Sequence, residues 1–316
     1  MIFKKFQYYK QWLEQDNYKP FYLAFLRVAM SWWLLKEVWI TWPNMDLFFA
    51  QRIFIEPEKT IIRLLVGNPA LIRTHYFFFV IPYIAVLVLY IFGIGKRLTA
   101  GLVFLFVFLL HKINSTIINS GDVAAQTILF YLIFADSYQY FVYSKSKIKN
   151  IHLERLNYLL SNLAILSVML YLCIVYFAVG LSKLFDPLWQ SGEAAYYALL
   201  NERFKGTSYN ELIVKNKWRA YLINYGTIVF ELVFPILIWF KKLRPPLLII
   251  GIIFHLCIYV FMMIYGFEIV FILMYGMFLP NELLLKYANK IKTFFGGNKY
   301  WIIRFIGLPD TVQIAQ

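Results

Sequence analysis

An all-α integral membrane bundle of about eight transmembrane helices is the fold class this sequence predicts, and three observations predict it. Of the 316 residues, 61% are hydrophobic and 20% aromatic while only 15% are charged, more apolar surface than a soluble fold of this length can bury. The apolar residues come in continuous runs of around 20, long enough for a helix to cross about 30 Å of hydrocarbon. These runs do not alternate at every second residue, which sets aside a transmembrane β-barrel.

The first nineteen residues are polar and carry Lys4, Lys5, Lys10 and Lys19, so the first span, over 20–42, is expected to be kept as an anchor rather than cleaved. Further spans are predicted near 75–94, 97–117, 123–143, 156–182, 219–240, 246–265 and 267–285. Short connections such as Gly95-Lys96-Arg97 and Lys241-Lys242-Leu243-Arg244-Pro245-Pro246 make neighbouring helices antiparallel and predict one compact bundle. The other side carries two long loops, 43–74 and 183–218, of a length usually associated with function. Within them Asp46–Arg52 and Ala194–Glu202 read as short amphipathic helices, lying in the outer interface or roofing a cavity. Lys286, Lys290, Lys292 and Lys299, beside Phe294, Phe295, Tyr300 and Trp301, make the tail a basic, aromatic anchor for an anionic leaflet. The predicted organisation is therefore an N-terminal segment 1–19, a transmembrane domain 20–285 and a tail 286–316.

A formal charge of +14 raises the question of nucleic acid. The basic residues instead gather beside span ends, at the N-terminus, at 96–97, 145–155 and 241–244, and after 285. That bias predicts both termini in the cytoplasm and the lipid bilayer, not nucleic acid, as the partner. Cys173 and Cys257 fall inside spans, where they behave as small apolar residues. His75, His111, His152 and His255 lack metal-ligand spacing, and no metal is expected. There is no glycine-rich dinucleotide loop, Walker loop or nucleophile elbow.

Two polar stretches interrupt the apolar runs and carry the candidate chemistry. One runs from Tyr176 through Gly180-Leu181-Ser182-Lys183 to Trp189 and Gly192, so that a membrane helix ends on a lysine. Either that lysine snorkels to water, or desolvation at an aromatic turn makes it a base near neutral pH. Glu231 and His255 fall near the middle of their spans, where an ionised side chain costs about 2.5–3.5 kcal/mol unless paired or hydrated. Glu231 is expected to pair with His255 on the next span or with Arg27, either as a register-fixing polar pair or as a proton relay. The other stretch, Asn119-Ser120-Gly121-Asp122, has the pattern of a helix N-cap. It is expected at the same membrane level as Lys183. Tyr176, Trp189 and the many other aromatics would suit a flat, apolar quinone as well as lipid or packing contacts.

Taken in order, Arg27, His111 through Asp122, Tyr176 with Gly180-Leu181-Ser182-Lys183-Leu184, Trp189 with Gly192, Glu231 with Pro235, and Gly251 with His255 form a pattern over most of the chain, from Arg27 to Pro280. This pattern resembles the HTTM-domain family, the membrane part of the vitamin K-dependent gamma-glutamyl carboxylases, whose short bacterial members include the sporulation-delaying protein B group. The resemblance implies a bacterial inner-membrane protein. It also implies a base, matched by Lys183, that deprotonates a reduced naphthoquinone (menaquinol or vitamin K hydroquinone). Oxygen then converts the quinol to a strong alkoxide base, a glutamate gamma proton is removed and carbon dioxide adds to the carbanion. Asn119, Asp122, Tyr176 and Trp189 would line the quinone site, with Glu231 and His255 beside the base. The chain departs from the pattern at Ser182, where the family has a first lysine, and at Gly121-Asp122, where the carboxylases have Asn-His. It ends soon after its last predicted span, so the propeptide-binding domain of the animal enzymes is not expected.

Two other functions are compatible with the same residues. A non-enzymatic membrane subunit that binds or matures a secreted, toxin-like peptide would use the two long loops, and Lys183 would only stabilise the turn. A proton-coupled transporter would rest on Glu231 and His255, without the paired helix breaks or internal repeat typical of such folds. For the enzyme, Lys183→Ala is expected to leave folding intact and abolish quinol oxidation; for the subunit, to lower protein level.

Overall fold

A computed structural model describes residues 13–45, 49, 75–113, 118–143, 148–264 and 266–294. All regular structure among these residues is helical. The helices are α1 (Pro20–Thr41), α2 (Phe77–Ile91), α3 (Arg97–Ile113), α4 (Ser120–Phe134), α5 (Ile151–Phe185), α6 (Pro187–Gln190), α7 (Ala194–Leu200), α8 (Tyr209–Val214), α9 (Lys217–Leu237), α10 (Arg244–Met262), α11 (Phe267–Tyr275) and α12 (Asn281–Phe294). Two compact units divide the chain: Met1–Ile165 with Leu279–Gln316, and Leu166–Phe278. The long helix α5 contributes its first part to one unit and its remainder to the other.

Among the described residues, α5, α9 and α10 are long and apolar enough to cross a membrane, and a fourth span results if Phe267–Phe278 and Asn281–Lys290 together form one broken span. The chain is thus an all-helical protein suited to a bilayer. The other expected spans coincide with shorter or more polar helices, for local reasons. α2 ends at Ile91, and the turn after it uses Gly93 and Gly95 at φ +66° and +75°. α4 stops at Phe134 because Ala135 turns extended, at φ −75° and ψ 140°. Asp136 then gives its amide to Ser161 Oγ instead of continuing the helix. At fifteen residues each, α2 and α4 are about 22 Å long.

In the first unit α1 packs on α2 and α4, α2 on α3, α3 on α4, and α12 on α1. The core position of α1 is set by Leu23, Ala24, Leu26 and Met30, all fully buried. Arg27 lies among them at 0% exposure. Its guanidinium donates to the carbonyls of Tyr90 and Ile91 at the end of α2 and to those of Tyr140 and Phe141, the last at 2.5 Å. It also lies over the rings of Tyr90 and Tyr138. The arginine therefore satisfies carbonyls that have no helical partner, and the expected pairing with Glu231 is replaced by this clamp.

The second unit is built on the later part of α5 with α9, α10 and α11, joined by three short helices. α9 packs on α10 and α10 on α11, while α7 packs on α8, α9 and α10. Within the stretch 194–202, expected as a short amphipathic helix, α7 covers Ala194–Leu200, with Ala194, Ala195 and Leu199 buried and Tyr197 exposed. The helix expected at Asp46–Arg52 (apart from Phe49), the tail beyond residue 294 and most of the N-terminal segment lie outside the described residues.

Candidate functional site

Lys183 stands in the last turn of α5, and the chain turns immediately after it. Asp186 caps α6 by accepting the amides of Leu188 and Trp189, which places the indole beside the lysine. The Lys183 Nζ lies 4.5 Å from the Trp189 ring centroid, within the range of a cation–π contact. Gly192 closes this turn at φ +81°, where a side chain would be strained and would also collide with Tyr221. From α9, Asn224 donates to the Trp189 carbonyl at 2.8 Å and accepts the Ala195 amide, while the Tyr225 hydroxyl donates to the Gln190 carbonyl. Asn210 ties the α7–α8 segment to α10 by donating to the carbonyls of Leu199 and Phe261. On the same segment Lys205 donates to Glu211, and this hydrogen bond with its charge holds the Glu211 carboxyl below the usual range. The loop beside the lysine is therefore built and strapped.

Behind this turn the Lys183 ammonium donates to Glu231 Oε1 at 2.5 Å. Both side chains are largely buried, at 15% and 6% exposure. The approach of α5 to α9 depends on Gly180, where a Cβ would stand 3.1 Å from Glu231 Cβ and 3.0 Å from Leu232. The second carboxylate oxygen, Oε2, is buried and has no hydrogen-bond partner among the described residues. The partner of Glu231 is thus Lys183, in place of the His255 or Arg27 expected from span order.

His255 takes a different partner. Its Nε2 lies 2.7 Å from the Tyr176 hydroxyl, which is also hydrogen-bonded to the Tyr275 hydroxyl. All three side chains are at most 4% exposed. Aromatic neighbours enclose them: Phe234 and Phe271 pack against Tyr176 and His255, and Phe230 lies edge-on to Tyr176. Gly251 makes the arrangement possible, because a Cβ there would collide with the Tyr275 hydroxyl. Tyr275 and Gly251 join Tyr176 and His255 here. Gly251 was already part of the sequence pattern, but Tyr275, one tyrosine among 24, carried no local signal.

No family model, curated protein or solved structure matches the chain.

Asn119 and Asp122 belong to the first unit and form a reciprocal cap at the start of α4. Asn119 Oδ1 accepts the amides of Gly121 and Asp122, and Asp122 Oδ2 accepts the Asn119 amide at 2.8 Å. His111, near the end of α3, meets Gln126 of α4 at 2.6 Å. The geometry thus gathers Lys183, Glu231 and Trp189 in one cluster and Tyr176 and His255 in another within the same unit, while Asn119 and Asp122 are engaged with each other. A cavity of about 750 Å³ lies in the first unit, and none of the seven residues singled out from the sequence lines it.

Proposed function

We propose that the chain is a membrane-embedded, quinol-dependent enzyme of carboxylase type, with Lys183 as its base. In this reading helices α1 to α4 complete a set of eight membrane segments, and both termini are cytoplasmic. The observation that carries the proposal is the buried Lys183–Glu231 pair beside the Trp189 indole, with Glu231 Oε2 left without a donor. A buried acceptor without a partner is destabilising by about 1–3 kcal/mol, so such an atom next to a lysine is accounted for if a ligand hydroxyl fills it. A reduced naphthoquinone fits this donor set, offering a hydroxyl to the pair and a flat ring to Trp189. When bound, it supplies the reducing electrons for oxygen.

The remaining work falls to side chains of the chain. For Lys183 to act as the base, its ammonium proton passes first to Glu231 Oε1, 2.5 Å away, and the neutral Nζ then accepts the hydroxyl proton, leaving an ammonium beside the quinolate. Glu231 Oε2 orients the hydroxyl, and Trp189 excludes water from one side. Tyr176 is seven residues before Lys183, two turns back along the same helix face. Its hydrogen bonds to His255 and Tyr275 lock α5 against α10 and α11 and hold the lysine's helix in register. Carboxylation of glutamate rests on the resemblance alone.

The test is aerobic turnover of reduced menaquinone by protein in nanodiscs, following oxygen uptake and quinone epoxide, with bicarbonate and glutamyl peptides added in turn. The Lys183→Met/Glu231→Gln double variant, which removes both charges together, is measured beside it. Epoxide from the wild type and none from a folded double variant is the expected result. Turnover that survives in the double variant would remove the lysine assignment. Folded wild type that forms no epoxide with any addition would favour the secreted-peptide subunit.

A further inference from the structure

The cavity of about 750 Å³ in the first unit lies where three consecutive helices have their ends: the start of α3, the segment just after α4 and the first turns of α5. Its volume falls in the range of small-molecule sites. Its walls carry both signs of charge. Arg97 uses Nη2 to donate to the Phe134 carbonyl and to Asn157 Oδ1, at 2.9 and 2.7 Å, and its Nε and Nη1 have no partner among the described residues. Asp136 is held by neutral groups: Asn157 Nδ2 and Gln139 Nε2 donate to Oδ2 at 3.1 and 3.0 Å, and the Tyr138 amide donates to Oδ1 at 3.4 Å. Glu154 accepts the Tyr158 hydroxyl at 3.0 Å on Oε1, and its Oε2 has no donor among the described residues. Neither carboxylate has a cation within ion-pair distance among the described residues, and the Asn157 amide stands between Arg97 and Asp136.

A cavity with the Arg97 fork and Lys96 at one place and, at another, two carboxylates that no cation pairs with among the described residues is complementary to a ligand that carries an anion and a cation together. Its position at the ends of apolar helices, one of them a candidate membrane span, is the level at which lipid headgroups lie. Glu154 Oε2 is the open acceptor, and with the Asp136 carboxylate, which neutral donors alone engage, it matches a primary ammonium rather than a trimethylated one. We infer that this cavity is a headgroup site for a phospholipid of the phosphatidylethanolamine type, with the phosphodiester on Arg97 and the primary ammonium on Asp136 and Glu154. The inference goes beyond the quinol reading and does not depend on it.

The test is native mass spectrometry of the protein released from nanodiscs that contain equal phosphatidylethanolamine, phosphatidylcholine and phosphatidylglycerol, with thermal melting as the control for folding. Wild type is expected to retain the ethanolamine lipid about tenfold over the other two, the size of one charge-assisted hydrogen bond. Glu154→Gln, which alters only the Tyr158 contact, should remove most of that preference with unchanged melting, and Asp136→Asn should act in the same direction. Arg97→Gln should weaken retention of every phosphodiester lipid. Soluble phosphoethanolamine should compete, which separates headgroup recognition from contacts with acyl chains. Equal retention of the three lipids, a preference for choline, or an ethanolamine preference unchanged in folded Glu154→Gln would each overturn the inference.

Discussion

Removing the Lys183 ammonium would leave the Glu231 carboxylate buried with neither oxygen satisfied. Breaking a buried ion pair from one side is destabilising by about 3–5 kcal/mol, so Lys183→Ala should lower the melting temperature as well as any turnover. The expectation that this substitution spares folding does not survive the 2.5 Å contact between the two side chains. Lys183→Met/Glu231→Gln should recover most of the loss, and a double-mutant cycle of thermal melts measures the coupling. Arg27 makes a second residue-scale case. Its four carbonyl acceptors are spread over two segments, a demand that a planar fork meets and a lysine does not. Arg27→Lys should therefore destabilise by several times about 1 kcal/mol, the scale of a single lost hydrogen bond, and urea or thermal unfolding in detergent would register it.

At the scale of elements, three glycines with different surroundings give opposite expectations. A Cβ at Gly251 runs into the Tyr275 hydroxyl, so Gly251→Ala must displace that ring and break its bond to Tyr176. Overpacking of this kind costs about 1–3 kcal/mol. Gly101 on α3 and Gly226 on α9 have nothing within 4 Å of a new Cβ. Alanine there should raise stability by about 0.5–1 kcal/mol, because glycine loses more backbone freedom in a helix. Parallel melts of the three variants check the contrast, and a stabilised Gly251→Ala would contradict the packing described for Tyr275. The cap of α4 separates structure from function in the same way. Asn119→Ala should cost about 1 kcal/mol and Asn119→Ser much less. If Asn119 only caps, the serine variant keeps any quinol turnover that the wild type shows; a loss of turnover without a loss of stability would give Asn119 a role beyond the cap.

The arrangement of the whole molecule turns on how many helices cross the bilayer. Single cysteines placed at Lys96, Lys242 and Lys205 in a background lacking Cys173 and Cys257 resolve it, read by a membrane-impermeant maleimide on intact and opened cells. With eight crossings and cytoplasmic termini, the sites at 96 and 242 label only in opened cells and the site at 205 labels in both. Labelling of position 96 from outside would reduce the first unit to fewer crossings. The bilayer character of the chain was legible in its apolar runs, and α9 and α10 start and stop within a few residues of the expected 219–240 and 246–265. The expected span 123–143 is longer than the helix, which ends at Phe134 before the extended Ala135 and the polar residues Asp136, Ser137 and Gln139. What ends that helix is an exchange with Ser161, which lies 25 residues away in sequence.

Apolar runs, glycine turns and the Asn119–Asp122 cap were determined by the sequence itself, because each depends on residues within a turn or two of one another. The cap needs only an oxygen three residues from an amide. The partners of the buried polar groups were decided by tertiary structure. Glu231 meets Lys183 across 48 residues, and Tyr176 meets His255 across 79 and Tyr275 across 99. Which of several buried acids, histidines and tyrosines come into contact depends on the rotation and depth of each helix. Those are set by close approaches such as Gly180 against Leu232 and Gly251 against Tyr275, where the absence of a side chain lets one helix reach another.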